Sequence, residues 1–412
     1  MVVRSPVTRQ TAGGLRSYLP RENDDGYMKT SARADAFERS GIRVMFELAE
    51  ERGGDLVRLE VGEPDFDTPE HVIDAAADAA RDGATHYTSG AGIPELREAI
   101  AERMATETNV PVSPEEVTVT NGGMEALSLA LSAIADPDEE VIIPTPAWPN
   151  YRNQVILAGA EPVEVPLAEE SGFDLDPERV IENLNENTAA IILTTPSNPT
   201  GRIYDEDAVK TVVEAAADHD AYVIADEVYA RLTYDDDYRR ITSYTDYEGV
   251  LTVDSCSKTY AMTGWRMGWL VGPEPVVEAA TSLGESTTAC PSSVGQQAAL
   301  AAITGTQEPV REMHDAFRER RDYLTERVAQ IPHISCPRPE GAFYAFLDVS
   351  ELDGSSFDVA ERLLSDYGVV TAPGGAFSDA GEGYLRLSFA NSLDRIELGL
   401  DRIERLVRDE FE

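Results

Sequence analysis

One lysine stands where the sequence could support covalent carbonyl chemistry. Lys258 lies in the segment SCSKTY at residues 255–260, directly after an apolar run. Lys29 and Lys210 are the only other lysines among the 34 basic residues of the chain. Arginine stays protonated in proteins, whereas a desolvated lysine can lose its proton, so a Schiff-base nucleophile must be a lysine. The sequence therefore marks Lys258 as a candidate nucleophile.

Suitable phosphate ligands lie near this lysine and at a second place in the chain. The hydroxyls of Ser255 and Ser257 and the guanidinium of Arg266 can donate hydrogen bonds to a phosphate. The segment NGGM at residues 121–124 follows an apolar run and opens an apolar helical pattern. Backbone N–H groups at such a helix start can approach an anion, although a double glycine also occurs as plain loop punctuation. Together these groups favour a phosphorylated carbonyl cofactor.

Polar and aromatic residues follow several other apolar runs. Asp226 ends one run, where a buried carboxylate needs a partner and could hold a protonated pyridine nitrogen. Asn198, in PSNPTG, is either part of a turn or a ligand contact, and Trp148 is either a core residue or a ring on which a flat ligand stacks. Arg386 alternates with apolar residues and needs an anionic partner such as a substrate carboxylate.

Short apolar runs alternate with helical patterns through the middle of the chain. Predicted strands cover residues 117–120, 141–144, 189–194, 222–225, 250–253 and 269–271, and predicted helices cover 124–134 and 206–218. This alternation predicts an α/β fold with a mostly parallel, doubly wound sheet and a ligand at the carboxyl ends of its strands. After about residue 310 the pattern changes to helix 310–330, strands at 341–349 and 384–390, and helix 393–408. We interpret this part as a smaller α+β domain, and residues 1–28 as a flexible extension.

Composition narrows the classes of partner. The 412 residues include 76 acidic and 34 basic ones, a formal net charge of −42 that disfavours nucleic acid as a partner. The acidic excess with scarce lysine is typical of proteins from salt-adapted organisms, where screening at high salt limits self-repulsion. No run of about 18 apolar residues predicts a membrane span. The three cysteines lack CxxC spacing and do not indicate disulfides, which favours the cytoplasm. The five histidines are scattered and do not indicate a metal site.

Taken together, the motifs resemble those of the class I/II aminotransferases, which are fold type I enzymes dependent on pyridoxal phosphate. The shared segments, in the same order, are GEPDF (62–66), SNPTG (197–201), DEVY (226–229), SCSK (255–258), GWR (264–266) and YLRLSF (384–389). Within this family the sequence is most similar to the prokaryotic aspartate aminotransferase group. The resemblance covers residues 30–410 and implies a seven-stranded sheet in a large cofactor-binding domain at 61–309. It also implies a small domain at 310–412 that is joined by residues 29–60.

The resemblance also implies roles for the residues around the cofactor ring. Lys258 forms the aldimine with the cofactor and then moves the proton of the 1,3-shift. Asp226 pairs with the pyridine nitrogen, and Tyr229 and Asn198 donate to the phenolic oxygen. Trp148 stacks on the ring.

The remaining roles concern the phosphate and the substrate. The phosphate ligands implied by the resemblance are Ser255, Ser257, Arg266, Gly123 and Met124. Arg386 clamps the substrate α-carboxylate, with Gly62, Trp148 and Asn198 nearby. Tyr87, in THYT, reaches the phosphate of a neighbouring subunit, which implies a homodimer with shared active sites.

Several functions stay open at this point. The favoured function is transfer of the amino group of an L-amino acid, aspartate-type, to a 2-oxo acid such as 2-oxoglutarate. Alanine and aromatic amino acids are alternative donors, because no motif identifies a cation for the substrate side chain. A C–S β-lyase of the cystathionine β-lyase type shares most of these motifs. A non-catalytic amino-acid sensor would need a basic DNA-binding domain, for which the sequence offers neither the length nor the charge.

Overall fold

A seven-stranded sheet forms the centre of the fold in the computed structural model, which describes residues 31, 34, 36–37, 40–235 and 238–411. Within these residues the strands are β1 Val57–Arg58, β2 Val117–Thr120, β3 Glu140–Thr145, β4 Glu161–Pro166, β5 Thr188–Thr194, β6 Tyr222–Asp226, β7 Val250–Ser255, β8 Gly268–Val271, β9 Tyr344–Asp348, β10 Val369–Val370, β11 Ala372–Pro373 and β12 Tyr384–Ser388. The central sheet has the order β2-β8-β7-β6-β5-β3-β4.

Helices cover both faces of this sheet and build the rest of the molecule. They are α1 Gly41–Arg52, α2 Glu70–Arg81, α3 Pro94–Thr108, α4 Gly123–Ile134, α5 Asn150–Ala158, α6 Pro177–Ile181, α7 Glu206–Asp218, α8 Cys256–Thr259, α9 Glu274–Thr287, α10 Ser293–Thr304, α11 Glu308–Val328, α12 Ser356–Arg362 and α13 Leu393–Phe411. None of the helices in the described part of the chain has the length and apolar character that a bilayer crossing requires.

Strand direction confirms the predicted mostly parallel sheet. The pairs β4/β3, β3/β5, β5/β6 and β6/β7 are parallel, whereas β8 runs antiparallel to both β7 and β2. The carboxyl ends of β5, β6 and β7 therefore meet at one edge, the place where open α/β sheets bind ligands. The strands at that edge end in Thr194, Asp226 and Ser255.

Local sequence explains where the flanking helices begin and which faces they bury. Helix α7 starts where the Asp205 carboxylate accepts hydrogen bonds from the N–H groups of Asp207 and Ala208, both at 3.0 Å. Helix α4 is apolar on most of its surface, which suits its position between the sheet and α9. Both helices match the predicted segments to within one residue.

Segments from the first and last parts of the described chain pack together in a second core. Strands β11, β12 and β9 form an antiparallel sheet, and β1 pairs with β10, 312 positions away (Val57 with Val369). Helix α13 buries Ile396, Leu400 and Ile403 against this core, at the spacing of an amphipathic helix. The predicted 1–28 extension lies outside the described residues.

A buried ion cluster connects the carboxyl ends of β6 and β7 to α3. Arg240, 3% exposed, donates to carboxylates of Glu107 at 2.6 Å, Glu227 at 3.0 Å and Asp254 at 2.6 Å. Burial alone would raise the pKa of Glu107, but the positive charges of Arg240 and Arg103 outweigh it and hold that pKa at about 2. The cluster thus fixes the strands whose ends carry the site residues.

Candidate active site

The predicted site residues meet in one cavity at the carboxyl edge of the central sheet. The cavity has a volume of about 600 Å³, and every predicted site residue except Tyr87 lines it. These lining residues are Gly62, Gly123, Met124, Trp148, Asn198, Asp226, Tyr229, Ser255, Ser257, Lys258, Arg266 and Arg386. They come from β6, β7, β12, helix starts and loops, so only the folded topology brings them together.

Lys258 lies on the short helix α8, immediately after β7. Its Nζ donates a hydrogen bond to the carbonyl oxygen of Gly62 at 2.6 Å and lies 5.7 Å from the ring centroid of Phe343. Burial lowers the pKa of this amine to about 8, and the positive charges of Arg386 and Arg266 act in the same direction. About one tenth of the amine is therefore neutral at pH 7 and about half at pH 8, and the neutral form is the one that a nucleophilic amine requires.

Asp226 ends β6 inside the cavity. Its carboxylate is 5% exposed and accepts hydrogen bonds from Tyr151 Oη at 2.7 Å and from the N–H of Val228 at 3.3 Å. Burial raises its pKa to about 6, and the nearby negative charges of Asp254 and Glu227 contribute in the same direction. The protein thus holds a carboxylate here that has no cation at hydrogen-bond distance among the described residues, which suits a positively charged ligand group.

Two tyrosines stand beside Asp226 on the cavity wall. Tyr229 Oη lies 2.9 Å from Tyr344 Oη, and both side chains are buried. Burial raises the pKa of Tyr229 well above its ordinary value, so the phenol keeps its proton. If Tyr344 donates to Tyr229, the Tyr229 O–H is free to donate to a ligand oxygen.

Arg386 is deeply buried on β12 but only partly satisfied. Its Nη1 donates to Asn198 Oδ1 at 2.9 Å and its Nη2 to the carbonyl oxygen of Glu60 at 2.7 Å. Its Nε is buried without a hydrogen-bond partner among the described residues. Because Asn198 uses its oxygen for Arg386, its Nδ2 stays available as a donor. A fixed guanidinium with a spare donor suits a carboxylate ligand.

The opposite end of the cavity collects donors for an anion. Ser255 and Ser257 are buried at the start of α8, and Gly123 and Met124 begin α4. The guanidinium of Arg266 approaches this loop and donates to carbonyl oxygens of Thr263 at 2.9 Å and Asn121 at 3.3 Å. Gly122 has φ +86°, and a Cβ there would lie 2.6 Å from Arg266 Nη2, so glycine permits the approach.

Gly62 and Trp148 form further parts of the cavity wall. A Cβ at Gly62 would lie 2.5 Å from Tyr344 Oη, so a larger residue would displace that tyrosine. Trp148 is partly buried and packs edge-on against Tyr151, with ring centroids 5.5 Å apart. The two ring planes are 83° apart, so Tyr151 does not stack parallel to the indole.

Sequence reasoning missed several residues that line the cavity, and one predicted site residue, Tyr87, is not among the lining residues. Tyr151, Tyr344 and Glu60 line the site, yet each lies in a segment whose pattern is that of ordinary core or strand. The position of Tyr151 three residues after Trp148 at a helix start was the only available signal. Tyr87 lies away from the cavity and is 89% exposed.

These features fit pyridoxal phosphate, the cofactor that the resemblance implies. Lys258 offers a partly neutral amine, and Asp226 offers a buried carboxylate in need of a cation. The helix starts and Arg266 offer several donors to one anion. The unpartnered Nε of Arg386 is suited to a substrate carboxylate at the same cavity.

Comparison with known proteins relates most of the chain to aminotransferases. The family model for aminotransferase class I and II matches residues 54–403. Aspartate aminotransferase of Bacillus subtilis is 38% identical over 92% of this chain and 99% of its own length. Aromatic-amino-acid aminotransferase 2 of Thermococcus litoralis is 35% identical over 93% of this chain and 99% of its own length.

A solved structure of aspartate aminotransferase from Thermus thermophilus with maleate superimposes with a TM-score of 0.88. It is 39% identical and aligns over 92% of this chain and all of its own. The match therefore includes both cores and the cavity-bearing edge of the sheet. The chain belongs to the class I and II aminotransferases and is a pyridoxal-phosphate-dependent transaminase of amino acids.

Proposed function

We propose that the enzyme is an aspartate-type aminotransferase that passes the amino group of L-aspartate to a 2-oxo acid such as 2-oxoglutarate. The observation that carries this proposal is the similarity to the Thermus thermophilus aspartate aminotransferase, whose structure holds maleate, a four-carbon dicarboxylate. The Bacillus subtilis relative carries the same name at comparable identity.

Lys258 is proposed as the catalytic base and acid. When bound, pyridoxal phosphate supplies an aldehyde that captures amines and a ring that accepts the electron pair left by Cα–H ionisation. Lys258 Nζ, with its pKa lowered to about 8, would take the proton from the substrate Cα, hold it as an ammonium, and return it to the cofactor carbon that carried the aldehyde. In the cofactor-free protein, the hydrogen bond to the Gly62 carbonyl oxygen holds the Lys258 amine at the cavity.

The ring contacts are proposed from the cavity geometry. Asp226 holds the pyridine nitrogen in its protonated form, because an opposite charge is what this buried carboxylate lacks. The Tyr229 hydroxyl and the Asn198 amide nitrogen donate to the phenolic oxygen, supported by Tyr344 and Arg386, which fix their orientations. Trp148 covers one face of the ring.

Residues at one end of the cavity are proposed to bind the phosphate, and residues at the other end the substrate. Phosphate ligands are proposed to be Ser255, Ser257, Arg266, and the backbone N–H groups of Gly123 and Met124. Arg386 binds the α-carboxylate through Nε and a neighbouring nitrogen, next to Gly62, Trp148 and Asn198. Because Arg386 is buried, it contributes its full charge to a carboxylate with little screening.

A homodimer with shared sites is proposed from Tyr87. Tyr87 is 89% exposed, and exposure of its aromatic ring to water is unfavourable. In the family that the sequence resembles, the tyrosine of the matching motif contacts a phosphate across subunits. Tyr87→Phe should weaken cofactor binding about tenfold, the effect of losing one hydrogen bond to a charged group. Titration of the cofactor, together with sedimentation of wild type and variant, measures this. Unchanged affinity would exclude Tyr87 as a phosphate ligand.

The domain limits given above, 29–60 with 310–412 and 61–309, are also proposed, with support from a core in which Met45, Val57 and Leu59 pack with residues from 313 to 407. The three free cysteines, Cys256, Cys290 and Cys336, support a reducing cytoplasm.

The net charge of −42 supports a salt-adapted source. Activity that rises with KCl concentration would support this last point, and inactivation by molar KCl would contradict it.

The function is tested by a panel of amino donors with 2-oxoglutarate at molar KCl. Aspartate should give the highest kcat/KM, and a preference for phenylalanine or tyrosine would favour the aromatic specificity of the Thermococcus litoralis relative. Release of pyruvate from cystathionine without a 2-oxo acid would indicate a β-lyase side activity. Neither outcome changes the family.

A further inference from the structure

Four cationic side chains from the described residues line the active-site cavity, and one of them has no proposed partner there. Lys258, Arg266 and Arg386 are assigned to the reacting amine, the phosphate and the α-carboxylate. The fourth is Arg43, from the first turn of α1. A dicarboxylic substrate brings a second anionic group that needs a cation in the same cavity.

We propose that Arg43 binds the side-chain carboxylate of a dicarboxylic substrate and so determines the specificity of the enzyme. This inference rests on the aspartate-type function proposed above and names the residue that would bring it about. Arg43 is thereby a substrate-binding residue at the cavity mouth, whereas Arg386 is the buried one.

The surroundings of Arg43 allow it to move to a ligand. Its side chain is 66% exposed and its Nε lies 3.3 Å from Glu47 Oε1, one helical turn away. An exposed ion pair of this kind contributes little to stability, so a substrate carboxylate can replace Glu47. The guanidinium also lies 5.2 Å from the ring centroid of Phe46, another cavity residue, which keeps the charge at the wall.

A buried carboxylate on the same wall makes a second cation necessary. Glu60 lines the cavity, is 2% exposed, and has one oxygen without a hydrogen-bond partner among the described residues. Its other oxygen accepts a hydrogen bond from Arg58, which offsets part of its charge. Burial raises the pKa of Glu60, and the positive charges of Arg58 and Arg386 oppose that rise, so these two arginines already act on this carboxyl group. Arg43 is the lining cation left to pair with a further carboxylate of the substrate.

The same wall also explains how neutral substrates could be accepted. Ile42 and Phe46 line the cavity on both sides of Arg43 in the sequence. With a neutral side chain in place, Arg43 stays on Glu47, and the apolar wall contacts the substrate. Arg43 therefore adds affinity for one class of substrate and leaves the other unaffected.

The test compares Arg43→Gln, Glu47→Gln and the control Arg52→Gln in the holoenzyme. Arg52 lies on the last turn of the same helix, donates to the carbonyl oxygen of Ser365, and does not line the cavity. We expect Arg43→Gln to lower kcat/KM for aspartate and glutamate by about 10- to 100-fold, the effect of losing a charge-assisted hydrogen bond, with alanine and phenylalanine within twofold of wild type. Glu47→Gln should keep or raise dicarboxylate activity, and Arg52→Gln should change neither class.

Calorimetric binding of maleate to the holoenzymes provides a readout that needs no turnover. Arg43→Gln should weaken maleate binding by the same factor as it lowers kcat/KM for aspartate. Equal losses for all amino donors, or no loss of maleate affinity, would overturn the role of Arg43 while a wild-type preference for aspartate would still support the proposed function. A wild type that prefers neutral donors and fails to bind maleate would overturn both.

Discussion

Replacing Asp226 by asparagine should stabilise the cofactor-free protein while it weakens the holoenzyme. The carboxylate is 5% exposed, accepts one hydrogen bond from Tyr151, and has no cation at hydrogen-bond distance among the described residues. Asparagine has nearly the same shape and can still accept that bond through its oxygen. The substitution therefore removes a charge from an environment that disfavours it, with little change in packing.

The size of the effect follows from the pKa of Asp226, which burial raises from 3.8 to about 6. The folded protein holds this proton more tightly than the unfolded chain, so the associated stability is fully present below pH 3.8 and is lost as the pH rises through 6. At about 1.4 kcal/mol per tenfold change in the dissociation constant, the ionised carboxylate costs about 3 kcal/mol at pH 8 and roughly half of that at pH 5. Loss of the weak contact from the Val228 N–H would reduce the net gain by about 1 kcal/mol at every pH.

Urea unfolding of the cofactor-free protein at pH 5 and pH 8 measures this, at constant KCl and constant protein concentration. We expect Asp226→Asn to unfold at higher urea than wild type at pH 8, with a smaller difference at pH 5. Asp254→Asn is the matched control, since Asp254 is equally buried but paired with Arg240 at 2.6 Å. That variant should lose about 1–3 kcal/mol, because Arg240 loses one charge-assisted hydrogen bond but keeps Glu107 and Glu227 as partners.

In the holoenzyme, Asp226→Asn should be less stable than wild type, because asparagine cannot stabilise a protonated pyridine nitrogen. Cofactor affinity and kcat should both fall, which separates a binding role for Asp226 from a purely structural one. A cofactor-free Asp226→Asn variant that is less stable than wild type at pH 8, or a difference that is the same at both pH values, would refute the reasoning.

Three further outcomes follow from the same geometry. Lys258→Ala should abolish turnover and the borohydride-dependent attachment of cofactor to the protein, and Lys258→Arg should not restore either, since arginine stays protonated; measurable turnover in either variant would exclude Lys258 as the base. Arg386→Gln should raise KM for amino acids by about 10- to 100-fold and leave the cofactor dissociation constant nearly unchanged, and the opposite pattern in spectroscopic titrations would assign Arg386 to the cofactor. Arg240→Met should cost about 3–5 kcal/mol in urea unfolding, because three carboxylates lose their shared partner, and an unchanged midpoint would show that the ion cluster adds no stability.

The sequence predicted the inner strands of the sheet and the edge strand β2, but it missed the other edge strand. The neighbouring strands β5, β6 and β7 are largely apolar, as expected for strands covered on both faces, and β2, with sequence VTVT, alternates valine with threonine. β4, with sequence EPVEVP, was missed because glutamates and prolines interrupt its pattern. Those residues are tolerated since β4 is an edge strand with a single partner, β3.

The site was predictable where a motif carried it, and not where the fold created a contact. Lys258, Asp226 and Asn198 follow apolar runs in short segments rich in polar residues, so their type and position in sequence already indicate chemistry. Tyr344 reaches Tyr229 across 115 positions, and aromatic residues in an apolar strand are usually core. Only the pairing of strands and loops reveals that the phenol faces the cavity.

The Arg240 cluster also limits how this sequence can change over time. Glu107, Glu227 and Asp254 share one guanidinium, so replacing Arg240 alone leaves three carboxylates without their shared partner, whereas replacing one carboxylate removes a single charge-assisted hydrogen bond. A neutral version of the cluster requires several substitutions at once, and the intermediates that lose Arg240 first should be the least stable. The four residues therefore form an epistatic unit, and related chains should retain all four charges or replace them together, even where the surrounding surface has diverged freely.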